Sequence, residues 1–227
     1  MPGFKLNRPD GSIAIDSNYF NLALREKGSA VIANQPNPNT PGFRNLYMTL
    51  GGDQAIIAYR SASPVAMYQA RKLGGAIEYV FCGMSENQPI TLDWWVFDLP
   101  QYAQQFANSG KMIVRRPTDG AVVFDSRNKY MKIMDFIHPE NTAEQRRSYP
   151  KLPAVIMTNR YWSDIAQPIN AGNSTLLQSQ TYMARTEGND VVTGGQITSL
   201  SIAGSDNPKF AYAGGSPEFL VVDVQDY

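Results

Sequence analysis

The chain has 227 residues, 43% of them hydrophobic and only 18% charged, which excludes a disordered protein and leaves ample apolar surface for a core. Its 20 basic and 20 acidic residues cancel, so it lacks the net positive field that binds phosphate backbones, and nucleic acid is not an expected partner. Abundant aromatics (12 Tyr, 10 Phe, 3 Trp) together with many Gly and Pro favour β-sheet over helix.

Phe4 to Leu24 reads as a short strand, an Asp10-Gly11 hairpin turn and two further short strands separated by Asp16-Ser17-Asn18. Gly tolerates positive φ without steric cost, and short polar side chains bond their own backbone in turns. Ser29 to Ala33 is a strand. Residues 35–42, with three prolines, form a loop or an extended connector, because proline fixes φ and removes donors. Asn45–Leu50, Gln54–Tyr59 and Ala76–Cys82 read as strands. Ser63 to Leu73 reads as a short helix, or as a loop carrying Val65, Met67 and Tyr68 inward. Ile90–Asp98 is the strongest strand, and the polar step from Met84 to Pro89 suggests a hairpin with Ile77–Cys82.

Tyr102 to Asn108 is expected to make one or two helical turns, stopped at Ser109-Gly110. Lys111–Arg115, Ala121–Phe124 and Tyr130–Phe136 follow as strands around an Asp119-Gly120 turn. Asn141 to Pro150 is polar and could carry a helical turn. Ala154–Thr158, Leu176–Ala184, Gln196–Ile202 and Phe219–Val224 complete the strands, with Gly194-Gly195 and Gly214-Gly215 as punctuation. About a dozen short strands at regular spacing indicate an all-β fold with minor helix, a β-sandwich or jelly-roll-like architecture. The expected organisation is a single β-rich domain over 1–227. A subdivision would set an N-terminal hairpin at 1–34 and the Pro-rich connector at 35–42 apart from a main sandwich at 43–227.

One pattern occurs twice. Arg8-Pro9-Asp10-Gly11 leads through four residues to Asp16-Ser17 and Tyr19, and Arg116-Pro117-Thr118-Asp119-Gly120 leads through four to Asp125-Ser126 and Tyr130. The copies differ by the inserted Thr118 and by a longer step from Asp-Ser to Tyr in the second. Each polar residue in them has a turn-forming role, so the pattern marks a duplicated β-hairpin unit.

Chemistry is sparse. One His and one Cys cannot build a zinc site, and the Asp-Gly-x4-Asp-Ser spacing is not a calcium loop, so no metal or cofactor is expected. Cys82 lies in an apolar strand as a small hydrophobe, and His138 follows a strand end as a loop residue. Glu78, Asp93 and Asp98 fall on strands read as neighbours, and two carboxyls about 5–9 Å apart could cleave a glycosidic bond. Asp93 and Asp98 have opposite parity and point to opposite strand faces, which leaves hydrolysis the least favoured reading. Trp94-Trp95 should split between the core and a surface or interface. Tyr161-Trp162, beside a polar loop, are the aromatics expected to be exposed, and are the candidate binding residues for a protein or a sugar. The first residues, Met1-Pro2-Gly3-Phe4-Lys5, lack the apolar stretch of a signal peptide, and no segment reaches transmembrane length.

The segment Phe4–Tyr19 and its echo at Val123–Ile133 resemble small tail proteins of tailed bacteriophages, which often begin with Gly-Phe-x-Val, a polar step, Asp-Gly, a strand and Asp-Ser-x-Tyr. Leu6 stands where that pattern has Val. The resemblance implies a non-enzymatic structural protein of the tail tip or baseplate, folded and assembled in the host cytoplasm and resident in the virion. Its implied partners are other phage tail proteins and further copies of itself, joined by intersubunit β contacts. A receptor- or glycan-binding module facing the host surface, and a capsid decoration protein, are the alternatives.

Overall fold

The computed structural model describes residues 5–7, 9, 13–16, 20–32, 43–84, 89–106, 112–168, 174–204 and 210–227. The strands are β1 (Lys5–Asn7), β2 (Ile13–Asp16), β3 (Ala23–Ile32), β4 (Phe43–Gly51), β5 (Ile56–Arg60), β6 (Val65–Leu73), β7 (Ala76–Met84), β8 (Ile90–Asp98) and β9 (Ile113–Arg115). They continue with β10 (Val122–Asp125), β11 (Ile133–Ile137), β12 (Gln145–Ser148), β13 (Pro153–Asn159), β14 (Trp162–Pro168), β15 (Ser174–Glu187), β16 (Asp190–Gly204), β17 (Phe210–Gly214) and β18 (Glu218–Asp223). A single 3₁₀ turn, Pro100–Tyr102, is the only helical element among the described residues. The fold is all-β.

Two antiparallel sheets make the body. A six-stranded sheet runs β11-β18-β13-β5-β8-β3, and an eight-stranded sheet runs β12-β16-β15-β6-β7-β4, with β14 and β17 branching from β15. Period-two alternation directs one face of each strand to a shared core. Ile57 and Tyr59, Leu92 and Val96, Val155 and Met157, and Phe219 and Val221 enter it from the first sheet. Ala66, Tyr79, Phe81, Tyr182, Ala184 and Val191 enter it from the second. Each such large side chain contributes about 1.5–3 kcal/mol on burial. Two of the three core tyrosines bond their hydroxyls to backbone carbonyls, Tyr59 donating to Val65 at 3.2 Å and Tyr79 to Ala55 at 3.0 Å. Those bonds cross between the sheets and fix their spacing.

The six-stranded sheet is also covered on its outer face. Leu24, Trp95, Phe97, Ile156, Val222 and Val224 form a second cluster there, packed against Met131, Leu152 and Tyr227. The ring of Tyr227 meets Phe97 edge-on, with centroids 5.6 Å apart. Burial on both faces explains why β8, β13 and β18 read as apolar runs without clean alternation. It also places both tryptophans of β8: Trp95 is buried in the outer cluster, and Trp94 packs on the central core.

The duplicated unit is visible in the backbone. β1–β2 pairs Lys5 with Asp16, Leu6 with Ile15 and Asn7 with Ile13. β9–β10 pairs Ile113 with Asp125, Val114 with Phe124 and Arg115 with Val122. Both are separate two-stranded sheets, and the residue skipped by the pairing is Ala14 in one and Val123 in the other, three positions after the turn glycine in each case. Gly120 has φ +73°, as the turn requires; Asp10-Gly11 lies outside the described residues. The segments leaving the two hairpins run antiparallel, with the Leu24 amide on the Lys129 carbonyl (2.7 Å) and the Met131 amide on the Leu22 carbonyl (2.9 Å).

Several sequence expectations are corrected. Ser63–Leu73 is neither helix nor loop: Val65–Leu73 is a strand whose outer half is exposed, so it shows no alternation. Within Asn141–Pro150 lies β12, a polar strand held by its ladder with β16 and by ion pairs. The turns expected over Tyr102–Asn108 reduce to Pro100–Tyr102, with Gln105 in an isolated bridge to Asn128; Ser109-Gly110 lies outside the described residues, as do 35–42. β7 and β8 do not form a hairpin: β7 sits between β4 and β6 in one sheet, and β8 between β5 and β3 in the other. The chain crosses between layers at that point. β14 and β17 were not anticipated.

Candidate functional site

The eight-stranded sheet forks at β15. Near its C-terminal end β15 pairs with β6 at one position, Ala184 opposite Val65, while its earlier residues Thr175–Thr181 pair with β14. β6 and β14 therefore share one edge of the same strand and separate from each other. A groove of about 590 Å³ opens there, lined from β4, β6, β7, β14, β15 and β16. That size is typical of small-ligand sites.

Each lining side chain is placed by strand periodicity. On β4, Leu46, Met48 and Leu50 pack toward the core, which turns Asn45 and Tyr47 outward. Tyr47 is 66% exposed. Tyr47, Val80 and Gln69 stand opposite one another across three neighbouring strands and form the first wall. Tyr68, also exposed, stands beside Gln69 at the bulge in β6. The facing wall carries Trp162 and Asp164 from β14 and Ser179 and Thr181 from β15.

Arg160 ties the two walls together. It sits in the link from β13 to β14, donates from Nη1 to the Tyr68 carbonyl at 2.8 Å, and stacks its guanidinium 5.0 Å from the Tyr68 ring centroid. Among the described residues its other nitrogens have no partner. Asp164 accepts from the Ser179 hydroxyl at 2.5 Å through Oδ1, and its Oδ2 has no partner among the described residues. Trp162 stands opposite Gly214 on β17. A Cβ at Gly214 would come 2.7 Å from the indole Nε1, so the absent side chain is what allows the ring to lie over that strand. Among the described residues the groove thus presents three accessible rings, amides from Asn45 and Gln69, hydroxyls, one carboxylate and one guanidinium.

Of the two aromatics expected to be exposed, Trp162 is at the surface and lines this groove. Tyr161 is a correction: it is half-buried against the central core and borders a separate 190 Å³ pocket with Tyr182. The expectation placed two adjacent residues together, although consecutive side chains leave opposite ways. The carboxylates considered for hydrolysis are likewise dispersed. Glu78 is on β7 and pairs with Arg71 at 2.9 Å, whereas Asp93 and Asp98 are on β8 in the other sheet. Asp98 is fully buried, bonded to Arg25 and to three backbone amides. Cys82 is buried in the core, and burial pushes its thiol up to about 12. His138 lies after β11 with Nδ1 3.4 Å from Glu218.

A second feature adjoins the groove. β12 covers β16 only over Asp190–Thr193, so Gln196–Gly204 present an edge with no strand partner on that side among the described residues. That edge, Gln-Ile-Thr-Ser-Leu-Ser-Ile-Ala-Gly, contains no charge and no proline. Ile197, Leu200 and Ile202 on it are 47%, 57% and 71% exposed. Sequence reading found the strand but gave no sign that half of it would be uncovered. Among the described residues no helix is long and apolar enough to cross a membrane, and no group of three or more His, Cys, Asp or Glu is placed to hold a metal ion. No family model matches the chain, and no curated protein or solved structure matches it either.

Proposed function

We propose that this chain is a non-enzymatic structural protein of a tailed-phage virion, placed in the tail tip or baseplate and joined to its neighbours through strand edges. The open edge of β16 carries the proposal. Stable edges in free proteins are protected by lysine, proline or a covering element, because bare backbone donors and acceptors recruit further strands. Residues 196–204 have neither charge nor proline, and they add an apolar row. The occupant that fits is the same edge of a second copy, which would continue the eight-stranded sheet across a twofold axis. The two bulged hairpins support the phage assignment, since they are the segments that resemble small tail proteins.

Sedimentation of the purified chain tests the assembly step. The wild type is expected to sediment as a dimer or larger species, and Leu200→Lys with Ile202→Lys as a folded monomer. A wild type that stays monomeric at high concentration, or a double variant that still associates, overturns it. A second reading, a module that binds a receptor or glycan on the host surface, is favoured by the groove at the fork of β15.

A further inference from the structure

We infer that the groove between β4, β6 and β14 is a binding site for a neutral, extended oligosaccharide. This deepens the host-surface reading given above and does not depend on the β16 edge.

A pyranose ring has C–H faces that are apolar and a rim of hydroxyls that each donate and accept. A protein site for it needs aromatic faces for the first and closely spaced side chains of mixed hydrogen-bonding sense for the second. The groove supplies both. Tyr47 and Tyr68 on one wall and Trp162 on the other are accessible rings, whereas most other aromatics among the described residues are buried or half-buried. Between them lie Asn45, Gln69, Asp164 and Arg160, which mix donors and acceptors. Two features hold the polar groups ready. Ser179 pins one oxygen of Asp164 and frees the other, and the Tyr68 carbonyl and ring pin Arg160 while freeing the rest of its guanidinium. Preorganised side chains of this kind lose little entropy on binding.

The charge pattern narrows the ligand. Among the described residues one cation and one anion line the groove, which gives neither a basic track for a nucleic acid nor a cluster for a polyanionic glycan. The groove is lined by residues of six strands, an extent that suits a chain of sugars over a buried single ring. Among the described residues a single carboxylate lines it, whereas glycoside hydrolysis uses a pair, so the site is inferred to hold the saccharide without cleaving it.

The test is a glycan array followed by titration calorimetry with the best neutral oligosaccharide on it, acidic oligosaccharides and single-stranded oligonucleotides serving as comparators. The wild type is expected to bind a neutral oligosaccharide, with Tyr47→Ala and Trp162→Ala each weakening binding about tenfold or more. Tyr47 is a surface residue, so its variant keeps the fold and carries the test even if Trp162→Ala is destabilised. Tyr102→Ala, exposed elsewhere, should bind as wild type does. Absence of neutral-glycan binding, preference for the acidic or nucleic-acid comparators, or affinity unchanged in Tyr47→Ala overturns the inference. Attachment of the whole protein to host cells that survives Tyr47→Ala would sink the saccharide groove while leaving the host-surface reading standing.

Discussion

Replacing Asp98 by alanine is expected to destabilise the protein by about 3–5 kcal/mol, the range seen when one partner of a buried ion pair is removed. Asp98 ends β8 with no exposed surface. Its Oδ2 accepts from Arg25 Nη1 at 2.9 Å and from the Asp53 amide at 3.2 Å, and its Oδ1 accepts from the Leu99 amide at 2.8 Å and the Gln54 amide at 3.3 Å. Hydrogen bonds to a charged group contribute about 1.5–3 kcal/mol each. Only the Leu99 bond is wholly buried, so water replaces part of the others, which holds the total near the stated range. The surrounding loop depends on the same carboxylate. A Cβ at Gly52 would stand 2.5 Å from the Ala55 Cβ, so the turn beside Asp98 needs glycine there, and one at Gly51 would stand 2.5 Å from Arg25 Nη2 and push that side chain aside. Arg25→Met should cost less, because the three amides still neutralise the carboxylate. Urea unfolding followed by circular dichroism measures both, with m unchanged and the midpoint shifted. A loss under about 1 kcal/mol for Asp98→Ala would refute the reasoning, since the charge would then be readily rehydrated.

Four further outcomes follow from the same physics. Burial raises the Cys82 thiol from 9.0 to about 12, so an unfolded chain ionises first as pH rises; stability should fall from about pH 9 upward, with a shallower slope in Cys82→Ala, and a slope identical to wild type would contradict this. In the second hairpin, the Arg116 guanidinium and then the Ala121 amide hold Asp119 at about 2, below its usual 3.8; its contribution is present above pH 3.8 and lost as pH falls toward 2, and NMR titration of Arg116→Gln should return the midpoint toward the ordinary carboxylate range. Gly215 has φ +75° and a side chain there would strike the Arg160 carbonyl, so Gly215→Ala should cost about 1–3 kcal/mol and loosen Arg160 from Tyr68, read by thermal melting. Phe97 and Tyr227 meet edge-on over the outer cluster, so removing Tyr227 should destabilise the six-stranded sheet by about 1–3 kcal/mol; an unchanged urea midpoint would show that the C-terminal tail is not part of that cluster.

The architecture was legible where apolar residues met a period. Tyr47 illustrates this: the alternation of Leu46, Met48 and Leu50 with Asn45, Tyr47 and Thr49 already sets a tyrosine on the outward face of β4. The pairing of the duplicated unit was legible too, because Asp-Gly marks a turn; its bulge and its loop, longer than the two-residue turn expected, were not, since Arg115 pairs with Val122. β12 was not, since Gln145–Ser148 is exposed and held by Arg146 to Glu187 and Asp190. Layer assignment was also out of reach. β7 and β8 are adjacent in sequence and joined by a short polar step, yet they lie in different sheets, a choice made by what each buries over long range. The groove needed the fork at β15, and no local pattern signals that β6 and β14 share one edge of a single strand. Trp162 could be named from the sequence because a tryptophan beside a polar loop stands out. Its partners Tyr68, Arg160 and Asp164 converge only through that fork.

Electron cryomicroscopy of the assembled particle tests the central proposal most directly. The account predicts this chain at the tail tip or baseplate, with residues 196–204 of β16 hydrogen-bonded to a strand of a neighbouring copy. Finding it on the head, or finding it in the tail with that edge bare to solvent, would contradict the account.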